Sequence, residues 1–196
     1  MLLALLVISG LAGTLRTGSI SIRERKQAVA LIKQSRTELV AALANLTPAQ
    51  FSFQPGPGQV SIKDLITQSI SLEEKCLGEI ANCMDQSSNP ESRLKIELTD
   101  EQLLATNVYP LCSKAVGQVS GPGIASSREA ILKFQNLRDR QLKYLRTSTE
   151  DLRNHVMLTF AGWIDCYQYY LLLADRSSYV AGLIRQIRAK PGFPRS

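Results

Sequence analysis

Histidine is all but missing from this 196-residue chain, with His155 the single one. A centre built on two or three imidazoles of this chain is therefore excluded. The four cysteines, Cys76, Cys83, Cys112 and Cys166, show no CxxC spacing and no pairing with the histidine, so no zinc ribbon or thioredoxin-type motif is written here. Cys76 and Cys83 fall on one expected helix, about 10.5 Å apart along its axis, too far to bridge without unwinding it. Buried free thiols are the expectation, with a bridge to Cys112 left open for an oxidising compartment. No Ser-His-Asp arrangement, phosphate-cradling glycine loop or paired-carboxylate signature is present, and the segment 117–123 lacks the strand and helix that a dinucleotide fingerprint needs. Aromatic residues make up only 6%, and no basic run is interleaved with them, so nucleic acid is not an expected partner.

What is present is the composition of a globular chain: 44% hydrophobic and 20% charged residues, enough for one domain with a substantial core. The net charge of +6 is spread over several groups: Arg23, Arg25 and Lys26; Arg138, Arg140, Lys143 and Arg146; Arg185, Arg188 and Lys190. Acidic residues interrupt several of these groups, which reads as solvated helix faces.

The first thirteen residues, MLLALLVISGLAG, form an uncharged apolar run followed by small and polar residues up to Ser19. That is the shape of a degenerate signal peptide over 1–18, without the usual positive start and too short to span a bilayer. Cleavage near Thr17–Ser19 would leave a periplasmic or secreted domain over 19–196 with no membrane span. A buried N-terminal helix in a cytoplasmic protein is the alternative.

From Ser21 the apolar residues Ala28, Ile32, Leu39, Leu43 and Leu46 recur with a helical period, ending near Asn45. Proline and glycine make 51–58 a loop, and Ser61 with Asp64 caps a second helix carrying Ile62, Ile66, Ile70, Leu77, Ile80 and Met84. A polar connection covers 85–93, and a short extra helix is expected near 99–106. The stretch 109–126 loses all periodicity, with Gly117, Gly121, Pro122 and Gly123 marking a loop of lid length. Ser127 is expected to cap a third long helix ending near Thr147. The segment 149–155 is a connection in which His155 is exposed or capping. A last helix is expected over 163–190, apolar nearly all round in its first half and so buried. No strand pattern competes. The expected fold is all-α, a four-helix bundle with long connections. The tyrosines Tyr167, Tyr169 and Tyr170 suit the core of such a bundle, or the face of a homodimer.

Several pieces in this order resemble the DinB-like superfamily, especially its exported members. They are Leu46-Thr47-Pro48-Ala49-Gln50-Phe51-Ser52-Phe53-Gln54-Pro55, Val60-Ser61-Ile62-Lys63-Asp64, Ser148-Thr149-Glu150-Asp151-Leu152-Arg153-Asn154-His155, Asp165-Cys166-Tyr167-Gln168 and Lys190-Pro191-Gly192-Phe193-Pro194. The resemblance covers roughly 21–194 and implies a DinB-like four-helix bundle. Members of that superfamily commonly hold a divalent metal such as zinc or nickel, through one histidine of the second helix and two, four residues apart, of the last. Some are thiol S-transferases, and one is a maleylpyruvate isomerase.

The resemblance places the three ligand positions at Gln68, Arg176 and Val180. Valine has no donor atom, arginine repels a dication, and a lone amide oxygen is a weak ligand. The family's metal site is thus expected to be lost, with no cofactor in its place. Glu73 and Asp175 are the nearby oxygen donors. Asp175 and Arg176 are expected to pair across the bundle with Glu73 or Gln68, filling the space of a metal. The resulting expectation is a catalytically degenerate bundle, binding if anything a small anion in a cleft beside Gln68, Arg176 and Tyr179. A metal-dependent thiol transferase with non-standard ligands is the alternative.

Overall fold

A computed structural model describes residues 19–106 and 123–195. Its helices are α1 (Ile22–Leu43), α2 (Pro48–Phe51), α3 (Ile62–Met84), α4 (Asp100–Ala105), α5 (Ser127–Thr147) and α6 (Cys166–Arg188). A 3-10 turn covers Pro90–Lys95, and a hairpin of β1 (Val156–Thr159) and β2 (Gly162–Asp165) precedes α6. The all-α bundle and its short extra helix are as the sequence predicts. The apolar N-terminal run, Cys112 and most of the expected loop over 109–126 lie outside the described residues.

Local chemistry sets the helix starts. Ser21, Thr47, Ser61, Thr99 and Asp165 each accept from the amide three residues on, and Glu24, Gln50, Asp64, Gln102 and Gln168 each return the bond to the cap's own amide. Each such cap is worth about 1 kcal/mol. Helix α5 is capped by Ser126 rather than Ser127, with the Glu129 carboxylate accepting from the Ala125 amide. Asn45, in the left-handed region at φ 57°, ends α1, and the Pro48 ring starts α2 directly after it.

Helix α6 packs against α1 and α3, and α5 packs against the same two. The helices α5 and α6 therefore face each other across the bundle axis. The interior is divided along that axis. One apolar cluster gathers Ala28, Ile32, Leu72, Ile80, Leu142, Tyr167 and Tyr169 through Ala174; the other gathers Leu39, Leu43, Ile66, Phe134, Val180 and Ile184. Between them lies a polar layer: Ser35 of α1, Ser69 and Glu73 of α3, Arg138 and Gln141 of α5, and Ser177 of α6, all buried. Tyr167, Tyr169 and Tyr170 belong to the first cluster, so the core accounts for them.

Two sequence expectations change near the last helix. It begins at Cys166, not at 163, because Asp165 and Gln168 form its cap. The apolar residues just before it pair as an antiparallel hairpin, Val156 opposite Asp165 and Thr159 opposite Gly162. Gly162, at φ 90°, supplies the backbone conformation its tight turn requires. The Asn89 side chain extends the hairpin, donating to the Val156 carbonyl (2.9 Å) and accepting from the Val156 amide (2.8 Å). His155, expected to be exposed or capping, is buried at the hairpin's root, with ring nitrogens 2.6 Å from the Asp151 carbonyl and 3.0 Å from that of Gln86. Among the described residues no helix is long and apolar enough to cross a membrane.

Candidate functional site

Arg138 sits on the same stripe of α5 as Phe134, Gln141 and Leu145, four, three and seven residues away, and that stripe faces the bundle axis. Its side chain is fully buried. Burying a guanidinium without partners would cost several kcal/mol, and here both terminal nitrogens are partnered, while Nε makes no hydrogen bond among the described residues. One terminal nitrogen lies 3.1 Å from Glu73 Oε1 and donates to Gln141 Oε1 (2.5 Å). The other donates to Glu73 Oε2 (3.3 Å), to the Leu173 carbonyl (3.1 Å) and to the Ser177 hydroxyl. Gln141 closes the ring by donating to Glu73 Oε1 at 2.8 Å. The guanidinium also stands 4.8 Å from the centre of the Phe134 ring. Three of the four long helices thus meet on one ion pair. Burial pushes the Arg138 pKa down, Glu73 pulls it back up, and the neighbouring Arg176 pushes it down again.

The three positions the family resemblance singles out lie on α3 and α6, two helices that pack against each other. Gln68 is half-buried on α3. Arg176, also half-buried, donates to the Ser69 carbonyl (3.4 Å) and hydroxyl (3.3 Å). Val180 is buried in the second apolar cluster. Glu73, one of the two residues expected to pair with Asp175 or Arg176, pairs with Arg138, because α5 carries that cation on its axis-facing stripe. Asp175 and Tyr179 are half-buried on the adjacent strip of α6, Tyr179 against the first apolar cluster. Among the described residues no three of histidine, cysteine, aspartate and glutamate come together as a metal site. A guanidinium at the centre of the layer would moreover repel a dication placed there.

The missed residue, Arg138, left a signal. Arg138 and Gln141 occupy positions of an apolar stripe where leucine would be routine, as Glu73 does among Ile66, Ser69, Ile70 and Ile80. A polar residue on a buried stripe needs a partner, and three such residues on two helices can satisfy one another.

A second charge centre holds the end of the bundle where α6 starts. Arg153 pairs with Glu24 (2.6 Å), Asp100 (2.6 Å) and Asp165 (2.9 Å) and lies 4.1 Å from the centre of the Tyr167 ring. Burial alone would lower the Arg153 pKa, but Asp100 and Asp165 outweigh it and hold the guanidinium charged. Burial alone would raise the Glu24 carboxyl, but hydrogen bonds from Ser21 and Arg153 bring it down to about 2. Helices α1, α4 and α6 and the Arg153 loop meet here, with Gln168 adding a bond to the Leu98 carbonyl (2.9 Å).

Two cavities flank these centres. One, of about 350 Å³, lies between α3 and α5 and is lined by Ile80, Met84, Gln141, Tyr144, Glu150 and Tyr170. Tyr144 stacks on Tyr170 and donates to Glu150. The other, of about 400 Å³, is lined by Arg93, Leu98, Asp100, Arg153, Asp165 and Gln168. Neither is lined by Gln68, Arg176 or Val180.

No protein-family model matches the chain, and no curated protein matches it significantly. Among solved structures it is similar to YfiT from Bacillus subtilis, described as a probable metal-dependent hydrolase with an unusual four-helix bundle topology. The TM-score is 0.63 at 14% identity, over 90% of this chain and 92% of that one. A likeness at that identity is one of fold, and it agrees with the four-helix bundle that the sequence predicts.

Proposed function

We propose that this chain is a DinB-like bundle in which a cation carried by the protein itself, the Arg138 guanidinium, has taken over the interior from a metal, leaving a binding protein rather than a metalloenzyme. The observation that carries this reading is the fully buried Arg138–Glu73 pair, with its remaining bonds to Gln141, Leu173 and Ser177. Such a pair needs no bound ion for charge balance and leaves Glu73 no lone pair aimed at open space. The export suggested by residues 1–18 belongs to the same reading.

Metal content tests it. Protein purified from its natural host, exposed to zinc and nickel and dialysed, is expected to retain far less than one equivalent, and its mass reports whether 1–18 has been removed. One equivalent of metal, lost in Glu73→Gln or Asp175→Asn, would overturn the reading. The neighbour's description as a probable metal-dependent hydrolase would then become the better guide.

The bound ligand in this reading is a small anion. Arg176 stands near enough to Arg138 to push its pKa down, and it is half-buried, donating to the neutral Ser69 carbonyl and hydroxyl at 3.3–3.4 Å. A carboxylate or phosphate bound beside Arg176 would offset the like charge of these two arginines. Acetate or inorganic phosphate is expected to raise the melting temperature of the natural protein and not that of Arg176→Gln. An equal rise in both would remove Arg176 from the ligand site.

A further inference from the structure

Two cysteines far apart in sequence meet in space at the α6 end of the bundle. Cys83 is in the last turn of α3, and Cys166 is the first residue of α6. Cys166 is buried within the first apolar cluster, and Cys83 packs against that cluster while keeping part of its surface exposed. The two thiols are within hydrogen-bonding contact of each other. Neither takes part in the polar layer or in the Arg153 centre. The backbone around them is well anchored: the Cys166 amide donates to the His155 carbonyl at 3.0 Å, and Asp165 caps the helix that Cys166 begins. The sequence alone could exclude a bridge within α3 but could not show this contact between helices.

We propose that Cys83 and Cys166 form a dithiol that closes into a disulfide joining α3 to α6 when the protein meets a low-molecular-weight disulfide. The part-exposed Cys83 is the entry thiol. Its thiolate attacks one sulfur of the small disulfide RS–SR, forming a Cys83–SR mixed disulfide and releasing RS⁻, which takes up the proton that Cys83 lost. The Cys166 thiolate then attacks the Cys83 sulfur, forming the Cys83–Cys166 bond and expelling the second RS⁻, which takes the Cys166 proton. Two protein thiols are oxidised, and one small disulfide is reduced to two thiols. Burial raises the pKa of both cysteines, most of all Cys166, so the exchange is slow at neutral pH and quickens as pH rises. The bond would close a loop of roughly eighty residues, a length at which a crosslink restricts the unfolded chain strongly. In an oxidising compartment it would be a standing staple, and in a reducing one a reversible switch.

The test uses the full chain, reduced and then incubated with excess oxidised glutathione at pH 8. Two of the four thiols are expected to disappear with a mass loss of two hydrogens, and peptide mapping is expected to join Cys83 to Cys166. The melting temperature should rise by about 5–10 °C over the reduced protein. Cys112→Ser should leave all of this unchanged. Cys83→Ser, at a part-exposed position, should abolish it while melting like the reduced natural protein. Persistence of four thiols, a stable glutathione adduct at Cys83, or a bridge to Cys112 would each overturn the proposal.

Discussion

Arg138→Met is expected to lower the unfolding free energy by about 3–5 kcal/mol, read from the urea midpoint at an unchanged slope. The loss comes less from the contacts removed than from what stays behind. Glu73 would remain at 1% exposure with its negative charge facing Gln141 and Ser177 alone. Glu73→Leu should cost a similar amount by stranding Arg138 among the Phe134 ring, Gln141 and the Leu173 carbonyl. The informative variant is the pair together. A buried ion pair contributes little net stability, because the desolvation of two charges offsets their attraction. Glu73→Leu with Arg138→Met should therefore recover most of the loss, to within about 1–2 kcal/mol of the natural protein. Additive losses would show that the two residues act separately and would remove the polar layer as a unit.

The second large effect is at Arg153. Arg153→Ala is expected to cost about 2–4 kcal/mol, since it leaves the buried Asp165 unpaired and frees Glu24 and Asp100 to repel each other. Arg153→Lys should keep the charge yet lose the two-pronged contacts to Glu24 and Asp100 and the stacking on Tyr167, so an intermediate cost of about 1–2 kcal/mol is expected. The pH dependence separates these effects. The folded Glu24 carboxyl titrates at about 2 against an ordinary value of 4.5. Its stabilisation is fully present above that ordinary value and is lost as pH falls from there toward 2. The natural protein should lose stability over that window, and Arg153→Ala should lose less of it. A parallel acid limb in the two proteins would mean that Ser21 alone sets the Glu24 shift.

Much of the fold was legible because it rests on local rules. The 3.6-residue spacing of Ala28, Ile32, Leu39 and Leu43 and the Ser61–Asp64 cap locate α1 and α3 to within a few residues. The hairpin was not legible, since strands of four residues are too short for an alternation to show, and an apolar run from Val156 to Ile164 reads equally well as a buried helix entry. The Asp165–Gln168 spacing, which repeats the capping chemistry of the other helices, was the available clue to where α6 starts. The site was less legible than the fold. Family-based spacing points to Arg176 and Val180, of which Val180 is buried with Leu173, Ser177 and Ala181 and Arg176 is half-buried beside them. Arg138 was hidden for a different reason: it stands among Arg140, Lys143 and Arg146, which suit a solvated face, and only its place on the Phe134–Leu145 stripe sets it apart.

The polar layer has a consequence for motion. Apolar packing does not run unbroken along the bundle, because the cluster around Leu39, Phe134 and Ile184 meets the cluster around Ile32, Leu142 and Tyr170 across charged and hydroxyl groups, with the half-buried Leu77 touching both. Dispersion contacts in one half are therefore not broken when the other half loosens. The bundle thus carries a polar seam at mid-height, and any local opening there would bring water to Arg138 and Glu73.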